Sequence, residues 1–373
     1  MGYQPYDPFR GRTSRQARKG LPRQTLALVV GVPALLISAF LVWSLGGDDP
    51  TTRSIADAAT DVAAAQATLS VVATETPSPE PTEARAAAPR SLGLPVPELS
   101  AAAAIVVDDA SMEVLYALDG YTPRPPASVT KMATAIVAAE QGRLDDVVTS
   151  TVHYWDLAYT ADSTTMGLEP GDEVTLRDLL YGLLLVSGND AAEMIAKHIS
   201  GWSEAFAAEM NDLAERLGME DTHFVTVDGL SAPGHASSPW DLVLLSRYLM
   251  RFPDLRELVG TEEYTAHGTR NGEPVGYDLY NHNPLLNYTP GVDGIKTGFT
   301  EDAGRTFSLT AERDGHRVYI VLMDTVLRAQ DSQELLEWAF ANHVWPGDLG
   351  PPSPASEAPL TPGPSETEPT PAP

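Results

Sequence analysis

Cysteine is absent from all 373 residues. Structural disulfides and a lipid-modified cysteine anchor are therefore excluded, and a core of more than about two hundred residues folds without such staples. Lysine is nearly absent too: only Lys19, Lys131, Lys197 and Lys296 occur, and arginine carries the remaining positive charge. A net charge of −27 argues against a nucleic-acid backbone as partner. None of the eight histidines forms His-Glu-x-x-His or another close ligand pair, so no metal is expected. No Gly-x-Ser-x-Gly elbow, phosphate-cradling glycine loop or internal repeat is present, and no organic cofactor is implied.

Long apolar runs are confined to one place. Residues 26–45 are almost wholly apolar, long enough for a bilayer-spanning helix. Arg10, Arg12, Arg15, Arg18, Lys19 and Arg23 precede them, and Asp48 and Asp49 follow. The positive-inside bias then keeps residues 1–25 as a cytoplasmic basic tail and sends the rest outside. The expectation is a single-pass cell-membrane protein with an uncleaved anchor. A cleaved signal peptide would have a shorter apolar core and a small-residue cleavage site.

Residues 46–98 are rich in Ala, Thr, Pro and Glu and read as a disordered linker, because they offer little apolar surface to offset ordering entropy. Residues 346–373 read as a second, Pro-rich disordered tail. Between them, 99–345 alternates well-marked elements. Apolar runs 102–107 and 113–117 flank a turn, and 306–311 and 318–323 flank Asp314-Gly315, a hairpin signal. Helical spacing marks 128–140, 176–186, 191–199, 204–217, 239–250 and 332–342. Strands at both ends with helices between predict an α+β fold: one antiparallel sheet flanked by helices, with an all-helical insertion.

Two of the four lysines stand in short motifs. Lys131 closes Ser128-Val129-Thr130-Lys131, and Lys296 opens Lys296-Thr297-Gly298, with Ser187-Gly188-Asn189 between. A buried lysine can lose its proton and act as a base, which arginine cannot. A serine one helical turn away is then a candidate acyl-transfer nucleophile. For that role the Lys131 amine must be neutral, its pKa depressed by desolvation and by a second cation, for which Lys296 is the natural choice. Asn189 offers an amide able to orient Lys131 and a substrate. The edge of the third motif can pair with a peptide backbone, with Gly298 permitting close approach.

The surroundings of these motifs resemble those of the low-molecular-mass penicillin-binding proteins that act as D-alanyl-D-alanine carboxypeptidases, in the serine β-lactamase and penicillin-binding superfamily. Residues 126–135, 185–191 and 293–300 carry the likeness, supported by Glu169-Pro170-Gly171-Asp172, Thr222-His223-Phe224, and Gly234-His235 with Ser237. The resemblance implies a β-lactamase/transpeptidase-like catalytic domain over 99–345. It implies Ser128, Lys131, Ser187 and Asn189 as catalytic residues, with Ser187 relaying a proton to the leaving amine. Backbone N–H groups of Ser128 and Phe299 would form the oxyanion hole, and Lys296, Thr297 and Arg328 would receive the substrate's terminal carboxylate. Peptidoglycan stem peptides are the implied partners, and β-lactams the implied inhibitors. Asp228-Gly229-Leu230 departs from the family pattern, which leaves position 228 without an expected role. His223 and His235 are expected to be structural.

Three other readings compete. A class A β-lactamase would need a deacylating glutamate in a Glu-x-x-x-Asn context, and no glutamate between Ser187 and Lys296 has asparagine four residues on. A DD-endopeptidase would keep the chemistry and change the bond. A non-catalytic cell-wall-binding protein would leave the intact motifs unexplained.

Overall fold

The computed structural model describes residues 86–158, 163–346 and 348. The expected anchor at 26–45 lies outside them; among the described residues no helix is long and apolar enough to cross a membrane.

The central sheet has five antiparallel strands: β2 (Ala103–Asp108), β3 (Val114–Leu118), β8 (Val292–Thr300), β9 (Gly304–Arg313) and β10 (His316–Thr325), in the order β3-β2-β10-β9-β8. Side chains alternate between its faces, as strand geometry requires. Ile105, Val107, Tyr319 and Val321 enter one core, while Val106, Leu309, Ile320 and Leu322 enter another. Helix α8 (Arg328–Asn342) covers the second face with Leu335, Leu336 and Ala339. The β9–β10 turn is made by Asp314 and Gly315, both at positive φ, as the hairpin signal predicts.

The first face is covered by a helical layer. Its centre is α1 (Lys131–Gln141), entered through a 3₁₀ turn at Ala127–Thr130 and buried from Lys131 to Ala138. Around it lie α3 (Leu176–Leu184), α4 (Asn189–Ser200), α5 (Ser203–Leu217), α6 (Pro239–Leu249) and α7 (Pro253–Val259); a short α2 (Tyr154–Ala158) lies outside. Local capping fixes several ends. Thr175 and Ser238 accept hydrogen bonds from Asp178 and Asp241 N–H, and α4 and α5 stop at left-handed Gly201 and Gly218.

Two features depart from the expected layout. A second antiparallel sheet, β4 (Val147–Thr149), β5 (Asp172–Thr175), β6 (Glu263–Arg270) and β7 (Glu273–Tyr280), runs in that order beside the helices, so the insertion is not all-helical. Its β6–β7 turn is Asn271-Gly272, both at positive φ, a two-residue hairpin signal that the reading by helical period passed over. Order also begins before residue 99. Strand β1 (Arg90–Ser91) pairs with β11 (His343–Val344), and Leu94 N–H donates to Asn342 Oδ1 at 2.7 Å. Backbone pairing with the end of α8 gives this low-hydrophobicity stretch the order its side chains cannot.

One ion pair between a buried carboxylate and a half-buried arginine ties the second sheet together. Asp172, fully buried, accepts from Arg270 Nε at 2.5 Å and Nη2 at 2.9 Å, from Tyr277 Oη at 2.6 Å, and from Glu169 N–H at 2.7 Å. Burial works against its charge, but the Arg270, Tyr277 and Glu169 hydrogen bonds outweigh it and hold the carboxyl below its ordinary range. Asp172→Asn is expected to cost about 3 kcal/mol in urea unfolding at pH 7. Because the folded pKa is depressed, that contribution is present above the ordinary carboxylate pKa. Wild type and variant should therefore converge as pH falls through the folded value; a pH-independent difference would contradict the assignment.

Candidate active site

The 3₁₀ turn places Ser128, half-buried, one turn before fully buried Lys131. The Lys131 amine meets three oxygens: Ser128 Oγ at 2.9 Å, Asn189 Oδ1 at 2.7 Å and the Asp228 carbonyl at 2.6 Å. As an ammonium it donates to all three. As a neutral amine it has two N–H groups for the two carbonyl oxygens and a lone pair for the serine hydroxyl. Burial pushes its pKa down to about 8, against the upward pull of the Asp228 and Asp190 carboxylates. Desolvation is thus the cause of the fall, and the expected second cation, Lys296, is not needed to account for it.

The Asp228 carbonyl is a functional group the sequence did not announce, and α1 itself holds it in place. Thr134 Oγ1 donates to Val227 O at 2.5 Å. Thr130 Oγ1 meets His235 Nε2 at 2.8 Å, while His235 Nδ1 accepts from Val225 N–H at 2.9 Å. That acceptor role puts the ring proton on Nε2 and leaves the imidazole neutral. Burial first, with the His223 charge adding to it against Asp228, lowers the His235 pKa to about 4. Three positions near the start of α1 therefore grip 227–235, and His235 is structural as expected.

Two glycines close on the nucleophile turn from opposite segments. A Cβ on Gly298 would lie 2.9 Å from Ser128 N and collide with Thr306 Oγ1. One on Gly229, whose φ is +88°, would lie 3.0 Å from Ser128 N and overlap Ala127 O. Only glycine allows this approach at both places. Thr306 Oγ1, on β9, also donates to Pro126 O at 3.0 Å, stitching the turn to the sheet. Ala127 itself is left-handed at φ +49°, a strained conformation for a non-glycine residue.

The second motif reaches the site at the start of α4. Asn189, buried, gives its Oδ1 to Lys131, and its Nδ2 donates to Ser163 Oγ at 3.0 Å. The amide therefore orients Lys131 as anticipated, and its other end is held by the preceding loop. Ser187 is buried and left-handed at φ +63°, and its Oγ has no hydrogen-bond partner. It makes no direct bond to either lysine in this state. Asp190, fully buried, accepts from the N–H groups of Met166, Gly167, Leu168 and Ala191 at 2.9, 2.9, 3.0 and 2.9 Å. It anchors loop 166–168 to the motif.

The third motif occupies β8, the edge strand of the central sheet. Lys296 and Thr297 are buried, and Phe299 is 48% exposed at the rim. Lys296 Nζ donates to Thr297 O at 2.9 Å. Burial, then the charges of Lys131 and Arg328, lower its pKa well below the usual lysine value. Repulsion between two cations is mutual, so each lysine disfavours the other's proton. Arg328 opens α8, half-buried, with its guanidinium 5.9 Å from the centre of the Phe307 ring. At the mouth, atoms crowd the His282 ring although solvent reaches it. That crowding first, then the Lys296 and Arg328 charges, lower its pKa to about 4. Among the described residues no group of three acidic, histidine or cysteine side chains could hold a metal. Of the nine residues singled out from sequence, Ser128, Lys131 and Asn189 are joined by direct hydrogen bonds, Gly298 closes on Ser128 N, and Lys296 and Arg328 join Lys131 through their charges, whereas Ser187, Thr297 and Phe299 are placed by their chain neighbours.

The profile of the D-alanyl-D-alanine carboxypeptidase family, Peptidase S11, matches residues 89–326. The chain is 36% identical over 258 residues to D-alanyl-D-alanine carboxypeptidase DacD of Escherichia coli, covering 66% of this chain and 64% of that relative. It is 36% identical over 257 residues to DacB2 of Mycobacterium tuberculosis, covering 66% and 85% respectively. The chain spans less than two thirds of the length of the E. coli relative. Among solved structures, the Streptomyces K15 DD-transpeptidase superposes with a TM-score of 0.64 at 31% identity, covering 66% of this chain and all of that one. A D-alanyl-D-alanine carboxypeptidase of M. tuberculosis H37Rv superposes with a TM-score of 0.61 at 34% identity, covering 69% and 98%. The α+β transpeptidase-like fold and the extent of the match agree: the chain belongs to the D-alanyl-D-alanine carboxypeptidase family.

Proposed function

We propose that the protein is a serine D-Ala-D-Ala carboxypeptidase that trims peptidoglycan pentapeptides, tethered by residues 26–45 with its catalytic domain outside the membrane. The observation that carries the reading is the Lys131 amine, buried and 2.9 Å from Ser128 Oγ. Lys131 takes the Ser128 proton as the hydroxyl oxygen attacks the carbonyl of the penultimate D-alanine. The oxyanion faces the N–H groups of Ser128 and Phe299. The C–N bond breaks, and the proton passes to the departing D-alanine amine; the unpartnered Ser187 hydroxyl is the natural relay. Water then resolves the acyl-enzyme, with Lys131 again as base.

The terminal carboxylate goes to Lys296, Thr297 and Arg328. A carboxylate there restores a proton to Lys296, and the new positive charge makes an ammonium at Lys131 less favourable. Substrate binding thereby prepares the base. A β-lactam enters as a substrate mimic and stays as a slowly released adduct. The 31% identity to a DD-transpeptidase supports a second reading, in which an amine rather than water accepts the acyl group.

Release of D-alanine from a pentapeptide ending in D-Ala-D-Ala tests the activity directly. A transpeptidase would instead yield cross-linked product when an amine acceptor is supplied. Lys131→Arg keeps the charge but cannot supply a neutral base, so labelling of Ser128 by fluorescent penicillin should fall at least about 100-fold; retained labelling would refute the base assignment. In the wild type the second-order acylation rate should rise with pH, because the neutral amine is the active form. The midpoint of that limb is expected near the Lys131 value of about 8. A midpoint near the unperturbed lysine value of 10.5 would show that burial does not tune it.

A further inference from the structure

We infer that the Asp228 carboxylate is a positioning residue of this active site: acting through Lys131, it stabilises the ammonium that forms as Ser128 gives up its proton, and so sets the pH range in which acylation runs. The inference rests on the carboxypeptidase reading and deepens it, giving a role to a position that departs from the family pattern.

Residue 228 is joined to the base through its backbone. Its carbonyl accepts from Lys131 Nζ at 2.6 Å, so its side chain begins beside the amine. That side chain is held in turn, because Asp228 Oδ1 accepts from Leu230 N–H at 3.0 Å. The turn does not depend on this bond. Thr226 Oγ1 accepts from Gly229 N–H at 3.2 Å and donates to Leu230 O at 3.0 Å, and Gly229 packs on the Ala127 carbonyl. A fixed turn thus carries the carboxylate against the nucleophile segment.

The other charged groups around the amine are already committed or opposed to it. Asp190 on α4 is occupied by four backbone N–H groups. Lys296 on β8 and Arg328 on α8 bring positive charge to the same pocket. His235, with His223 beside it, lies behind the turn and is neutral. Asp228 is half-buried, accepts one N–H and, among the described residues, forms no ion pair. Of the two carboxylates that pull the Lys131 pKa upward, Asp228 exerts the larger effect.

A carboxylate there has two consequences. It thins the neutral amine near neutral pH, and it makes that amine a stronger base when present. The second effect is what the carboxylate of a serine triad does for its imidazolium.

Asp228→Asn keeps the backbone carbonyl and an oxygen for Leu230 N–H, and removes only the charge. The test measures second-order acylation by fluorescent penicillin against pH, on the full chain in detergent. The midpoint should move down by about 0.5 to 1 pH unit in Asp228→Asn, and Asp228→Glu should bring it back. The variant should be about twofold to threefold faster than wild type near about pH 6 and slower by a similar factor near about pH 9.5. The two profiles therefore cross. A residue that only held the turn would lower the rate at every pH and leave the midpoint alone. An unmoved midpoint, a loss at both ends, or no restoration by Asp228→Glu would overturn the inference.

With four lysines in the chain, Cε-labelled lysine NMR reads the Lys131 titration directly, its signal assigned by Lys131→Arg. Asp228→Ser, which keeps an acceptor for Leu230 N–H, is the second neutral variant and should show the same downward shift. A wild type that is not acylated, or whose acylation limb departs from the Lys131 titration, sinks the base assignment and the inference together. A limb that follows Lys131 but stays in place in both neutral variants sinks the inference alone.

Discussion

The structure turns on a single buried amine held by three segments far apart in sequence. Lys131 Nζ meets a hydroxyl from its own helix, an amide oxygen from the start of α4, and a backbone carbonyl at residue 228. The arrangement satisfies both protonation states with the same heavy atoms. An ammonium donates three bonds, and a neutral amine donates two and accepts the third. A proton can therefore pass between Ser128 and Lys131 without repacking a fully buried region, where rearrangement is costly. Burial lowers the pKa and the Asp228 and Asp190 carboxylates limit the fall, which leaves the group near 8, within reach of neutral pH.

Much of the surrounding fold serves to keep those segments together. Helix α1 binds 227–235 through Thr130 and Thr134, and β9 binds the nucleophile turn through Thr306. Gly229 and Gly298 then let both neighbours approach the Ala127–Ser128 peptide more closely than any side chain would allow. The strained backbone at Ala127 and Ser187 persists because packing on all sides over-determines it. Asp190 supplies the same rigidity on the far side by collecting four backbone N–H groups.

The parts legible in sequence were those whose signal is local. Helical spacing marked α1 and α3 to α6, Asp314-Gly315 marked one hairpin, and the three motifs marked the cleft. What escaped notice was non-local or carried by the backbone. The Asp228 carbonyl leaves no trace in residue identity, since any residue offers one. The second sheet escaped because β4 and β5 are only three and four residues long, too short for alternation to show. Its Asn271-Gly272 turn carries a local signal of the same kind as Asp314-Gly315. Of the two causes expected at Lys131, desolvation is the one that lowers the pKa, and the depth of burial that produces it is not visible in sequence.

The electrostatics of the cleft run opposite to those of the whole chain. The protein carries a net charge of −27, yet Lys131, Lys296 and Arg328 gather in one pocket, and among the described residues neither lysine forms an ion pair with a carboxylate. Like charges placed together raise each other's free energy unless an anion joins them. The cluster is thus incomplete until an anion arrives, and the pKa of Lys296 is lowered by burial first and by the Lys131 and Arg328 charges after it. An acidic exterior steers anions away in general, so an anionic substrate has one favourable destination.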